Sequence, residues 1–449
     1  MQVCFDCVRE EYLISLIKTQ SEGTCDFCYK KNLTISIDYL SKIVIDVLGK
    51  YYALTPSGPN EYEQSMQRDR ESDYCWYREG QPILEVITEM LEVDELIAKE
   101  IFEVLPNKSS EYEPCAEEEH DESAHYMYSD KKDQMFNNKW DELVVSIKHE
   151  FRFLNYKAQM ILDDIFDDIE NFQTHDNEPV TVKIKPNSKQ NYLYRARLLT
   201  ESDMVEKVLK SPDVELSAPP SHLAPSGRMN PRGISFFYGA LEQDTAISEV
   251  RPYIGSYVVV GKFNLLRDIE LIDLTSFEHL SVKGSIFDPK IYLLTQRALF
   301  LKEFSKIVSM PVHPHEIESE YLPTQIVAEY LSKKFDGMIF SSSQSSKSNK
   351  NVVLFHHASK VKSIDNSMFS TVNVNMFDQD DGDFWISVSK IGYDPLTRGA
   401  GSIIEEDTDS ILEVDIESLT VQVIDRVRYN YTQHAVSICE HFIDEDDMF

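Results

Sequence analysis

Two CxxC pairs within the first 28 residues constrain this chain more than any other feature. Cys4, Cys7, Cys25 and Cys28 form C-x2-C-x17-C-x2-C, the spacing expected of a four-thiolate zinc site. Each CxxC turn aims two sulfurs at one ion, and two such turns complete a tetrahedron. A closed four-cysteine site leaves no position for substrate, so Zn2+ is expected here in a structural role. The chain has seven cysteines, an odd number that suits a reducing compartment better than a disulfide framework. The start, "MQVCFDCVREEYLISL", lacks a basic stretch followed by an apolar one, so it does not read as a signal peptide. No apolar run approaches the ~20 residues of a membrane helix. A cytoplasmic protein without membrane association is expected.

The 449 residues allow two or three domains. Residues 1–45 read as the zinc-binding module and 46–178 as a helical accessory region. Residues 179–449 read as an α+β domain ending in an acidic tail. In the helical region, "QPILEVITEMLEVDELIAKEIFEVL" has helical spacing with Pro82 near its start. A second helical stretch, from Lys139, puts Trp140, Leu143, Val144, Ile147, Phe151 and Leu154 on one face. Between the two, residues 107–134 are acidic and aperiodic and read as a solvated loop. The third block alternates short β-branched runs ("SYVVVGKF", "IELIDL", "NVVLF") with turns and one clear helix, "YLPTQIVAEYLSKKF". No internal repeats are evident.

Charge narrows the function. With 77 Asp+Glu against 44 Lys+Arg the net charge is −33, which repels nucleic-acid backbones and anionic lipid. Residues 181–263 depart from this, with 11 Lys+Arg against 8 Asp+Glu, a balance of +3. Within them "GRMNPRGISFFYGALEQDTAISEVRP" reads as loop, strand and helix, and carries Arg228, Asn230, Tyr238 and Glu249. Arginine forks bind phosphate bidentately, and an aromatic ring stacks on a flat heterocycle. A lone carboxylate can hold a ribose hydroxyl and stabilise an oxocarbenium-like transition state. Diphosphate, ring and labile N-glycosidic bond together describe NAD+.

"YRAR", "GRMNPRGISFFY", "TAISEVRP" and "FDGMIFSSSQS" followed by "NVVLF" resemble the RES domain, over roughly residues 185–435. The preceding cysteines and helices resemble the HEPN/RES-type region found ahead of some longer RES proteins. The resemblance implies a fold similar to ADP-ribosyltransferase toxins and an enzyme of toxin–antitoxin type that degrades NAD+. In that reading Arg228, Tyr238, Glu249 and Ser342, the last within the run Ser341–Ser343, are the catalytic set. Arg195 is implied as a phosphate or ribose ligand, and Asn230, in the same turn as Arg228, as a second NAD+-binding residue. The acceptor is water or phosphate in a glycohydrolase or phosphorylase, or a protein side chain in a mono-ADP-ribosyltransferase. An antitoxin or regulatory protein and a homo-oligomer are compatible partners.

Two readings from other classes stand beside it. One is a non-enzymatic zinc-binding interaction protein. The other is a helical ribonuclease, for which Arg428 and His434 have the sequence spacing but lie outside the helical block. His313 and His315, around a proline, read as a loop rather than as metal ligands.

Overall fold

The structure is a computed structural model that describes residues 1–69, 72–106, 120–129, 133–310, 312, 315–342, 344, 349–364, 369–378, 384–392 and 409–428. Most of the expected acidic loop, His313, Ser343, His434 and the acidic tail lie outside the described residues. The chain forms two compact units, neither continuous in sequence. The first comprises Met1–Val182 and Asp273–Tyr330, the second Lys183–Ile272 and Leu331–Phe449.

In the first unit the cysteine turns and the helices share one core. A helix begins at Ile37, where the Ser36 side chain accepts from Tyr39 N, and runs to Tyr51. Leu40, Val44, Val47 and Leu48 recur at helical spacing along its buried side. They pack with Val3 and Leu13 from the cysteine module and with Ile83, Ile87, Ile97 and Ile101 further on. Phe287, far along the chain, joins the same cluster. The periodic stretch after Pro82 is two helices, Ile83–Leu91 and Glu95–Glu103. Glu92, left-handed at φ 52°, turns the chain between them.

A second layer of the same unit centres on Trp140, whose ring meets that of Phe304 at 5.3 Å, edge to face. Phe304 belongs to the 21-residue helix Pro289–Ser309 and also meets Phe166 at 5.1 Å. The helical face expected from Lys139 onward is only partly realised. Trp140, Leu143 and Ile147 are buried, but Phe151 is 69% exposed and Leu154 89%. The helix Met135–Val145 ends in a wide turn over Ser146–Glu150, and a new helix starts at Tyr156. Asn155 enforces the break: its side chain caps the new helix at Ala158 N and binds Phe151 O and Ser146 Oγ.

The second unit is built on an eight-stranded sheet. Its strands are β1 (Thr181–Ile184), β2 (Tyr192–Leu199), β3 (Phe237–Ala240), β4 (Tyr257–Leu265), β5 (Ile269–Asp273), β6 (Gly337–Ser341), β7 (Lys350–Leu354) and β8 (Leu412–Val423). The spatial order is β8–β4–β2–β3–β7–β6–β5–β1. The expected β-branched runs thus become strands of one sheet, and the α+β class holds. The central pairs β2/β3, β3/β7 and β6/β7 are antiparallel. The short helix Gln243–Glu249 follows β3 directly. β3, β7 and this helix position the candidate site.

Candidate active site and metal centre

Strand register decides which side chains can meet. Ala240 on β3 stands opposite both Tyr194 on β2 and Asn351 on β7, and Asn351 stands opposite Phe340 on β6. Directly opposed residues share a face of the sheet, and neighbours along a strand alternate. Tyr238 is therefore on the same face as Asn351, two residues along β3.

Glu249, the last residue of its helix, reaches the start of β7. Its Oε1 accepts from Ser342 Oγ at 2.5 Å and from Asn351 Nδ2 at 2.7 Å. Ser342 follows β6 and is fixed by its own N–H, which donates to Asn349 O at 2.9 Å. Ser342 and Asn351 are both buried, each 5% exposed. A carboxylate in a helix's last turn faces the negative end of the helix dipole, so these two donors are what hold it there. Both act on one oxygen. Among the described residues Oε2 takes no hydrogen bond. Asn351 Oδ1 and Thr245 Oγ1 are buried without a hydrogen-bond partner among the described residues.

Tyr238 anchors the loop ahead of it. Its hydroxyl donates to Asn230 Oδ1 at 2.7 Å and accepts from Met229 N at 3.1 Å. Asn230 is buried, and its Nδ2 donates to Pro225 O and Ile234 O. Gly227 is required by close approach, because a Cβ there would collide with Asn230 Oδ1 and lie 2.8 Å from the Tyr238 hydroxyl. The turn Gly227–Asn230, with half-buried Arg228 inside it, is thereby folded onto the phenol.

Arg195 is placed differently. It follows Tyr194, so its side chain leaves the sheet on the face opposite Asn351 and Tyr238. There the guanidinium lies over the Phe237 ring at 4.9 Å, and Nη1 donates to Tyr238 O at 2.7 Å. Among the described residues it has no acidic partner. Burial, with Arg197 nearby, brings its pKa down to about 10. The structure thus joins Glu249 with Ser342, and Tyr238 with Asn230, but sets Arg195 behind the sheet. Asn351 was missed from sequence; its one signal was that it opens the "NVVLF" run.

A cavity of about 650 Å3 in this unit lies elsewhere, against Pro219, Ser235, Arg267 and His356. It contains none of the candidate site residues, and the hydrogen-bonded carboxylate is the better guide to chemistry.

In the first unit the four cysteine sulfurs lie within 4.8 Å of one another. Cys4–Cys7, Cys4–Cys28 and Cys7–Cys25 are 3.7, 3.5 and 3.8 Å apart. Four thiolates at ~2.3 Å from a tetrahedral zinc stand about 3.8 Å apart, so the donor set fits that ion. Burial first, then thiol–thiol contacts, pushes the Cys7 thiol up. Burial pushes Cys25 up as well, but backbone N–H groups of Cys28 and Phe27 outweigh it and bring it to about 7.

A mixed α+β domain carrying a hydrogen-bonded carboxylate, behind a helical unit with a four-cysteine cluster, is the class that these features define. Comparison with known families matches residues 206–372 to the RES domain and residues 18–160 to the HEPN/RES N-terminal domain 1. The chain therefore carries a RES domain behind a HEPN/RES N-terminal domain. Arg228, Tyr238, Glu249, Ser342 and Asn351 fall inside the RES match, and Cys25 and Cys28 inside the N-terminal one, whereas Arg195, Cys4 and Cys7 fall outside both. No curated protein matches the chain. RES-domain proteins are in general NAD+-acting enzymes of toxin–antitoxin context. Among the described residues no helix is long and apolar enough to cross a membrane.

Proposed function

We propose that this protein is an NAD+-degrading enzyme that cleaves the nicotinamide–ribose bond on an ADP-ribosyltransferase-like domain. One observation carries the reading: Glu249 has Oε1 fixed by Ser342 and Asn351 while Oε2 takes no donor among the described residues. An ionised carboxylate held in this way can accept a ribose hydroxyl through Oε2. As the C–N bond breaks, its electron pair leaves with nicotinamide and positive charge develops on the ribose. A preorganised carboxylate stabilises that charge more than it stabilises bound NAD+. Water or inorganic phosphate then adds at the vacated carbon and gives up a proton.

Arg228 holds the diphosphate from the turn, and Tyr238 stacks on or closes over the nicotinamide. Asn230 keeps both in place through the phenol. Arg195 acts indirectly by fixing the Tyr238 carbonyl from the other face. Ser342 and Asn351 position Glu249. Cys4, Cys7, Cys25 and Cys28 hold a structural zinc, which when bound ties the two N-terminal turns together and offers no open coordination position. The N-terminal unit serves as a sensing or docking module, and an antitoxin or regulatory protein is its expected kind of partner. The whole acts in the cytoplasm.

Incubating the full chain with NAD+ and identifying the products by mass spectrometry tests this. Free nicotinamide with ADP-ribose or its phosphate ester is expected. ADP-ribose fixed on a protein would make the enzyme a mono-ADP-ribosyltransferase, and intact NAD+ would refute the reading.

A further inference from the structure

The first unit presents a large apolar surface that its own described residues leave uncovered. Phe153 and Leu154 are 89% exposed, Tyr156 76%, and Phe151 and Met160 69%. These side chains come from one short loop and from the first turn and a half of the helix that follows it, where Tyr156 and Met160 are four residues apart and share a face. With aromatic side chains covering ~150–250 Å2 each, they offer on the order of 700 Å2. Monomeric proteins rarely leave so large an apolar patch open. It is close to the ~800 Å2 per partner of a standard protein–protein interface.

The loop is built to hold this shape. Asn155 Nδ2 donates to Phe151 O and Ser146 Oγ, each at 2.8 Å, and its Oδ1 accepts from Ala158 N at 2.9 Å. Phe151 N donates to Ser146 O at 2.9 Å. Leu154 is held at φ 53°, a conformation that a leucine adopts only when its surroundings impose it. A loop already ordered in its binding conformation loses less entropy on association.

Charge indicates the occupant. Lys148 is paired with Glu320 and Lys157 with Glu142. Glu150 and Arg152, which flank Phe151, are exposed, and among the described residues neither makes a hydrogen bond or ion pair. Glu150 acts on Lys157 through space, but Lys157 is ion-paired with Glu142. One charge of each sign outside any ion pair among the described residues thus stands on either side of an aromatic anchor, and the segment is complementary to itself. A two-fold contact brings residue i to j and j to i. We propose that this loop is a homodimer interface, in which Phe151, Phe153, Leu154, Tyr156 and Met160 of two copies pack together while Arg152 of each copy meets Glu150 of the other. An anionic membrane is the disfavoured occupant, because the chain as a whole carries −33.

The test is the mass of the full-length protein in solution, by analytical ultracentrifugation across a concentration series. Wild type is expected at twice the chain mass at micromolar concentration. Phe153→Glu, which sits on an exposed loop and spares the core, is expected to give the monomer. Glu150→Arg and Arg152→Glu are each expected to weaken the dimer about tenfold, and the double exchange to restore it, since the pair is then reversed but still complementary. A monomeric wild type, a Phe153→Glu protein that stays dimeric, or a double exchange no better than its single variants would overturn the proposal. So would a wild type that stays monomeric and instead sediments with phosphatidylserine vesicles.

Discussion

The four-cysteine cluster and the Glu249 site are both small polar constellations, but they are assembled in opposite ways. The cysteines come from two turns within 28 residues, and each turn delivers a fixed pair of sulfurs. Glu249 meets Ser342 and Asn351 across 93 and 102 residues of chain. Local geometry suffices for the first. The second exists only when β3, β6, β7 and the helix after β3 have found their register. A one-residue slip of β7 would turn Asn351 to the other face. Damage to the cluster should therefore act on folding, and damage at Glu249 on turnover.

The largest expected effect breaks the metal side. Cys25→Ser should abolish zinc binding and destabilise the first unit by several kcal/mol, since metal binding and folding are linked at such sites. Elemental analysis of purified protein should fall from about one zinc per chain to none. Residue Cys25 shares its unit with the core of Leu40, Val44 and Ile87, so thermal melting should show that core loosening first.

On the other side of the comparison, Arg228→Ala should weaken NAD+ binding by ~2 kcal/mol or more, because a charged hydrogen-bonding partner is removed. Wild-type affinity should fall as salt rises, and the variant's should fall less steeply. Titration calorimetry at two ionic strengths measures both. Gly227→Ala drives a methyl group into Asn230 Oδ1 and against the Tyr238 hydroxyl. A loss of ~1–3 kcal/mol in stability or affinity is expected from such overpacking, seen as a lower melting temperature or a raised Kd. The smallest effect concerns Asn351→Ala, which leaves Ser342 as the single side-chain donor to Glu249 among the described residues. A fall in turnover of about tenfold is expected, the size of one charge-assisted hydrogen bond. An equal loss in zinc content would mean that the change acts on the fold instead.

The same contrast explains what the sequence disclosed. The cysteine spacing was legible because each ligand pair is a local turn. The sheet was legible as strands, since "SYVVVGKF" and "IELIDL" carry their own β-branched signal, but its order was not. Tyr238 and Glu249 could be named because loop, strand and helix are consecutive in sequence. Asn351 could not, because nothing local marks an asparagine that donates to a carboxylate 102 residues away. Arg195 shows the limit of motif reading: a single step along β2 decides which face it takes, and only pairing with Ala240 fixes that step. Periodicity misplaced Phe151 and Leu154, because apolar spacing continues past residue 150 while Asn155 ends the helical path. Phe287 and Phe304, in the core of the first unit, belong to a stretch whose sequence reads as part of the following domain.

The most direct test of the account is Glu249→Gln in the full chain, with NAD+ affinity and turnover measured on the same sample. Glutamine keeps an acceptor at Oε1 for both Ser342 and Asn351, removes the charge and puts an amide donor in place of Oε2. Turnover should fall roughly a hundredfold or more while Kd for NAD+ changes far less, the mark of an interaction strengthened in the transition state. A Glu249→Gln enzyme that cleaves NAD+ at the wild-type rate would contradict the assignment of Glu249 as the catalytic carboxylate.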